Sequence, residues 1–306
     1  MRCDCCDIAE LTELGSYGDY RHLICKNCEF EKFVGVDAGI SAHLYENDAD
    51  YIDDLGAATR PDDLILWHHL EAIKYLRTNY PARKVSLLDV GCFNGFFVKK
   101  MLSLGYDAQG IDFNESAVAS GRERLGLGLN ISTRTIDELT ESGNRFDVVT
   151  LFEVLEHLPD VREYLNKATA LLNSGGVLIL STPNNKMCWR PALDFPPHHL
   201  SRFSARSLME CLSRLEMDTL HVKEQMSTYD LTRHYAGTFF RDKGKASLRG
   251  GEFSHKKITT VLRRGMNRMR KIFVTGLMPV DSILYACNLR YISQIVIARK
   301  RPLVEQ

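Results

Sequence analysis

Between residues 85 and 182, short apolar runs alternate with stretches of helical spacing. VSLLDV (85–90), AQGIDF (108–113), LNISTRT (129–135), FDVVTLF (146–152) and GVLILST (176–182) read as strands. Residues near 95–104, 114–125 and 160–172 place apolar side chains on one helical face. The fourth and fifth runs are apolar at nearly every position, which suits central strands covered on both sides. The alternation predicts an α/β fold with a doubly wound sheet. A helix is expected before it, from an Asp62 or Asp63 cap through LILWHHLEAIKYLRTNY. After it come a helix SARSLMECLSRL, a strand DTLHVKEQ and a last strand SQIVIARK (293–300). Residues 226–292 show no strand pattern, and an excursion of that length points to an accessory or functional role.

The pattern divides the chain into a front segment and linker (1–60), a core (61–225), and an excursion with the closing strand (226–306). The front segment holds five of the nine cysteines, in CDCC and CKNC. Cys3, Cys6, Cys25 and Cys28 make two C-x2-C knuckles eighteen residues apart, the spacing of a four-thiolate zinc site. Cys5 is the spare thiol, or a substitute for Cys6. A redox pair or disulfides would fit the same cysteines in an oxidising compartment. MRCDCCDIAE has no basic and apolar leader pattern, and no run of eighteen apolar residues occurs, so a cytoplasmic protein is expected. The 39 basic and 39 acidic residues cancel, so any electrostatic signal must be local.

In LLDVGCFNGFF a predicted strand runs into Asp89, Gly91 and Gly95 and then a helix, an arrangement that brings backbone close to a ligand. Phe93 stands where a dinucleotide loop would have its second glycine, which argues against a diphosphate. Asp112, twenty-three residues after Asp89, is placed to accept both hydroxyls of a ribose. Together these suggest an adenosine whose other arm carries no phosphate.

LLDVGCFNG, GIDFN, FDVVTLFEVLEHLPD and LLNSGGVLILSTPN resemble, in order and spacing, the successive motifs of class I S-adenosylmethionine-dependent methyltransferases, over about residues 85–225. The resemblance implies a Rossmann-like seven-stranded sheet whose final strand is antiparallel. It implies that Asp89, Gly91 and Gly95 hold the methionine end, Asp112 the ribose, Phe113 one adenine face and Phe152 the region of the sulfonium. Glu153 lies where it could also contact the cofactor. Where the family often has an Asp for the adenine amino group, this chain has Thr135, followed by Ile136, with Asp137 nearby. The paired knuckles with LYENDADYIDD also resemble the zinc-binding front end of methyltransferases acting on sugars, surface glycans and secondary metabolites. That resemblance implies O-methylation of such an acceptor.

Methyl transfer needs placement above all, and a base where the acceptor is a hydroxyl. His157, after the fourth core strand, is a candidate base; the competing assignment is a histidine that packs or caps the loop before Pro159. The pattern Glu153-x-x-Glu156-His157 also resembles motifs of ubiquinone-type O-methyltransferases and small-RNA 3′-end 2′-O-methyltransferases. That likeness opens the alternative of a divalent ion such as Mg2+ at Glu153, Glu156 and His157, and of an RNA acceptor. His198 and His199 in PPHHLSRFS are further possible ligands or, for His199 above all, a substrate-side catalytic residue; backbone-satisfied loop histidines are the bland assignment. Tyr45 and Tyr51 could close over the cofactor or simply pack. A non-catalytic cofactor-binding or zinc-scaffold subunit is the remaining class.

Residues 241–271 carry eleven Lys or Arg against two acidic residues, a net of +9 in an otherwise neutral chain. Mixed with apolar positions, such charge suits an anionic membrane, at the inner surface, or a polyanionic carrier, RNA included; the competing reading is a solvated helix packed on the sheet. The membrane version predicts that flotation recovers the protein with anionic vesicles and not with neutral ones. Equal recovery from both would count against it.

Overall fold

The computed structural model describes residues 1–35, 65–81, 85–187, 190, 194–225 and 293–302. Asp62, Asp63, Tyr45, Tyr51, Cys188, Cys287 and the basic stretch 241–271 lie outside these residues. Met1–Asn185, Ala192–Lys223 and Ser293–Gln306 form one compact unit; Lys186–Pro191 and Glu224–Ile292 form a second.

The front segment folds around its cysteines. Strands β1 (Thr12–Tyr17) and β2 (Tyr20–Ile24) form a hairpin through Gly18, whose φ of +55° suits the tight turn. Strand β3 (Glu31–Val34) pairs with β2. Each knuckle is a turn closed by a backbone bond to its first cysteine, Asp7 N–H to Cys3 O and Glu29 N–H to Cys25 O, with Asp7 and Glu29 left-handed. All four knuckle thiols are buried. Their Sγ atoms lie within 4.8 Å of one another, Cys3 to Cys28 at 3.5 Å and Cys6 to Cys25 at 3.6 Å. A tetrahedral site with zinc–sulfur bonds near 2.3 Å has edges of about 3.8 Å. Cys6, not Cys5, completes the set; Cys5 is buried alongside.

The core follows in strict alternation: helix α1 (Trp67–Asn79), β4 (Ser86–Val90), α2 (Phe96–Ser103), β5 (Asp107–Ile111), α3 (Glu115–Arg124), β6 (Ile131–Ser132), α4 (Ile136–Glu141), β7 (Phe146–Phe152), α5 (Val161–Ala170) and β8 (Leu172–Pro183). Then come β9 (Ser201–Arg202), α6 (Ala205–Arg214), β10 (Met217–Glu224) and β11 (Ser293–Lys300). The seven-stranded order is β10-β11-β8-β7-β4-β5-β6, with β4 through β8 parallel and β11 antiparallel to β8. Period-two alternation sends Leu87, Val177, Ile179, Ile295 and Ile297 to one face, against Ala72, Ile73 and Leu76 of α1. Leu88, Leu178, Leu180 and Val296 face the other, against Leu165 of α5 and Leu208 and Leu212 of α6. Covering both faces is what makes the central runs continuously apolar.

The front segment is bonded to this core. Its β3 pairs antiparallel with β9, with Glu31 opposite Arg202, so β1, β2, β3 and β9 form a second sheet. Arg162 Nε donates to Asp4 O at 2.9 Å, Ser204 Oγ to Cys28 O at 3.1 Å, and Phe30 packs on Phe203.

The third expected strand is cut short. Of LNISTRT only Ile131 and Ser132 extend, because Thr135 caps the unforeseen helix α4: its hydroxyl accepts the Glu138 N–H while Glu138 accepts the Thr135 N–H. Among the described residues no helix is long and apolar enough to cross a membrane.

Candidate active site

Three parallel strands, β7, β4 and β5, end side by side, and the loops leaving them gather at that end of the sheet. After β4 the chain turns through Gly91, Phe93 and Gly95, all left-handed with φ of +75°, +54° and +82°. Phe93 thus keeps the conformation of the glycine it replaces, at a cost of about 1–2 kcal/mol for an L-residue. The turn is pinned to β5 by Gly91 and Cys92 N–H groups donating to Ile111 O at 2.9 and 3.0 Å. A Cβ on Gly91 would meet Val154 Cγ2 at 2.6 Å, and one on Gly95 would meet Leu127 Cδ1 at 2.5 Å, so a side chain at either position would add a neighbour's displacement to the strain of its positive φ.

Acids gather at this end of the sheet. Asp89, at the end of β4, is buried and accepts Thr150 Oγ1 at 2.6 Å; burial first, then Asp112, push its carboxyl up to about 7 against the Thr150 bond. Asp112, just after β5, accepts Phe93 N–H at 2.7 Å and Asn114 N–H at 2.9 Å, and burial raises it despite both bonds. Glu153, just after β7, sits at φ +55° and accepts Ser181 Oγ at 2.8 Å; desolvation first, with Asp194, lifts it to about 7. Three carboxyls gathered at one end of the sheet disfavour a diphosphate and favour a ligand that brings positive charge, as an ammonium and a sulfonium do.

Aromatic rings pack beside them. Phe152 lies under His68, stacked at 5.2 Å, and meets His69 and Phe97 edge-on at 4.7 and 4.9 Å. Burial holds His68 neutral and His69 down to about 3. Phe113 is half exposed at the rim. Ile136 is buried, Thr135 is an exposed helix cap, and Asp137 pairs with Lys167 at 3.0 Å.

The short helical turn Leu155–His157 then brings two of the queried side chains together with a third from the later loop. Glu156, His157 and His199 offer ligand atoms within 4.8 Å of one another, and the two imidazoles meet edge-on at 4.7 Å. His157 Nδ1 donates to His198 O at 2.8 Å, and burial first, then His199, hold its pKa down to about 3. Glu156 is sealed in, with its carboxyl pushed well above the usual range by burial and Glu153. Its Oε2 is buried with no hydrogen-bond partner among the described residues. Glu153 borders this cluster without belonging to the three that converge.

Sequence reasoning missed His68, Ser181 and Asp194. His68 and Ser181 read as ordinary helix and strand positions, and only folding puts His68 Nδ1 3.9 Å and Ser181 Oγ 2.8 Å from Glu153. Asp194 lies five residues from His199, a proximity the sequence did show.

If Asp112 meets the ribose as expected, Asp112→Ala weakens S-adenosylhomocysteine binding at least tenfold, about 1.4 kcal/mol, by calorimetry. Unchanged affinity refutes the assignment.

The family described as "Methyltransferase domain" matches residues 49–222. Over 115 residues the chain is 32% identical to "Ubiquinone biosynthesis O-methyltransferase" of Coxiella burnetii, covering 37% of this chain and 49% of that one. Over 112 residues it is 37% identical to the protein of the same name from Ruegeria sp., covering 36% of this chain and 45% of that one. The chain thus spans about half the length of the curated relatives it matches. Its fold is like that of a SAM-dependent methyltransferase from Archaeoglobus fulgidus, at TM-score 0.51 and 15% identity, over 83% of this chain and all of that one. With a match spanning more than half of its 306 residues, joined to this fold, the chain belongs to the methyltransferase-domain family, the class I S-adenosylmethionine-dependent methyltransferases.

Proposed function

We propose that the protein moves the methyl group of S-adenosylmethionine to a hydroxyl oxygen of a small-molecule acceptor. The convergence of Glu156, His157 and His199 beside Glu153 carries the reading, since it gathers groups able to activate a hydroxyl at the end of the sheet where such folds hold their ligands. The names of the matched relatives support an oxygen acceptor. A sugar or glycan is a narrower version with no support from those relatives, and an RNA 3′ end shares the hydroxyl chemistry.

The acceptor oxygen attacks the methyl carbon in line, the carbon–sulfur bond breaks, and neutral S-adenosylhomocysteine leaves while the hydroxyl proton passes to the protein or to water. Placement supplies much of the rate, about 7–11 kcal/mol in favourable cases. Glu156, His157 and His199 fit a divalent cation: the bondless Glu156 Oε2 wants a positive partner, and His157, donating through Nδ1, keeps its lone pair on Nε2. A cation bound there would polarise the acceptor hydroxyl and ease loss of its proton.

With labelled cofactor and host extract, mass spectrometry is expected to find a methyl ether whose formation stops with EDTA and resumes with Mg2+ or Mn2+. Glu156→Ala is expected to cut turnover about 100-fold or more with cofactor affinity intact. Methyl on nitrogen or carbon, or turnover indifferent to both changes, would overturn the reading.

We also propose that Cys3, Cys6, Cys25 and Cys28 hold one structural zinc, on the strength of their sealed four-sulfur cluster. Elemental analysis is expected to give one zinc per chain, lost in Cys25→Ser together with thermal stability. A zinc-free native protein of full stability would refute this.

A further inference from the structure

Asp194 has 2% of its side chain exposed. Its Oδ1 accepts from His199 Nδ1 at 2.9 Å, its Oδ2 lies 3.4 Å from Arg202 Nε, and its backbone carbonyl accepts Arg202 Nη2 at 3.0 Å. Arg202 sits between two aromatic faces, 4.7 Å from the Phe33 ring centroid and 4.6 Å from that of Phe195. Its Nη1 is 3.4 Å from Glu31 Oε2, which also takes His22 Nε2 at 2.8 Å. The β3–β9 pairing fixes that meeting by setting Glu31 across from Arg202. One chain of charges therefore runs from the cysteine-bearing front segment to His199.

A buried carboxylate held by a guanidinium can only accept hydrogen bonds. It keeps the His199 proton on Nδ1 and leaves Nε2 as the nitrogen able to give a lone pair. Carboxylates behind metal-binding imidazoles commonly act so, fixing tautomer and ring orientation and raising ligand basicity. We propose that Asp194 is a positioning residue that orients His199 toward a divalent cation shared with Glu156 and His157, itself held by Arg202 against Glu31 and Phe33 of the front segment. The proposal rests on the cation reading above and adds the residues that set one ligand's geometry.

Mn2+ titrated into the full-length, zinc-loaded protein with S-adenosylhomocysteine bound, and followed by electron paramagnetic resonance of the free ion, tests it without turnover. The wild type is expected to take up one Mn2+. Asp194→Asn is expected to bind it about 10- to 100-fold more weakly, with S-adenosylhomocysteine affinity unchanged, and Asp194→Glu to recover part of the loss. Equal Mn2+ affinity in Asp194→Asn and wild type overturns the positioning role and leaves the cation reading standing. No Mn2+ uptake by the wild type overturns both. Loss of S-adenosylhomocysteine binding along with Mn2+ binding in Asp194→Asn assigns Asp194 to the fold instead and overturns the role.

Discussion

Carboxyl groups gathered where parallel strands end govern this molecule. Asp89, Asp112, Glu153 and Glu156 lie at or just beyond the carboxyl ends of β4, β5 and β7; all but the half-buried Glu153 are sealed from solvent, and desolvation raises all four. Such an arrangement is costly to ionise in the empty protein, since burial of an unpaired charge is penalised heavily. Hydrogen bonds offset part of the cost at Asp89, Asp112 and Glu153. What remains is complementary to positive charge. A sulfonium cofactor would satisfy that demand beside Asp89, Asp112 and Glu153, and a divalent cation would satisfy it at Glu156, the carboxyl with an oxygen left without a hydrogen-bond partner among the described residues.

The same demand bears on two of the places where the backbone departs from ordinary geometry. Phe93, three residues beyond β4, and Glu153, next after β7, are non-glycine residues at positive φ. Their conformations aim the Phe93 N–H at Asp112 and the Glu153 carboxyl at Ser181. Local strain of this kind persists only where surrounding structure fixes it, and here the sheet, buried on both faces, does so.

The central sheet was legible because its signal is periodic and strong: the closing strand Ser293–Lys300 coincides with the run SQIVIARK. The loop after β4 was legible for a different reason, its glycines at a strand-to-helix crossing. Helix α4 was hidden in plain view, since its Thr135-x-x-Glu138 cap was written in the sequence while the alternation before it suggested more strand. The β3–β9 pairing, in contrast, joins residues some 170 positions apart, and no local pattern announces it. Asp194 was missed for a related reason: its meaning depends on Arg202 and Glu31, which only tertiary structure brings to it.

His157 and His199 show how one residue type acquires two characters within a few ångströms. Both donate through Nδ1, but His157 gives its proton to the neutral carbonyl of His198 and His199 to the carboxylate of Asp194. A carbonyl fixes a ring's direction and adds little electron density. A carboxylate does both, so the imidazole it backs is the better electron donor at Nε2. Burial and the neighbouring ring push His157 toward neutrality, which suits a ligand that must not carry a proton when a cation arrives. The front segment enters the chemistry through this asymmetry, because Glu31 and Phe33 hold the arginine that holds Asp194. A cysteine-rich module that stabilised only itself would need none of those contacts.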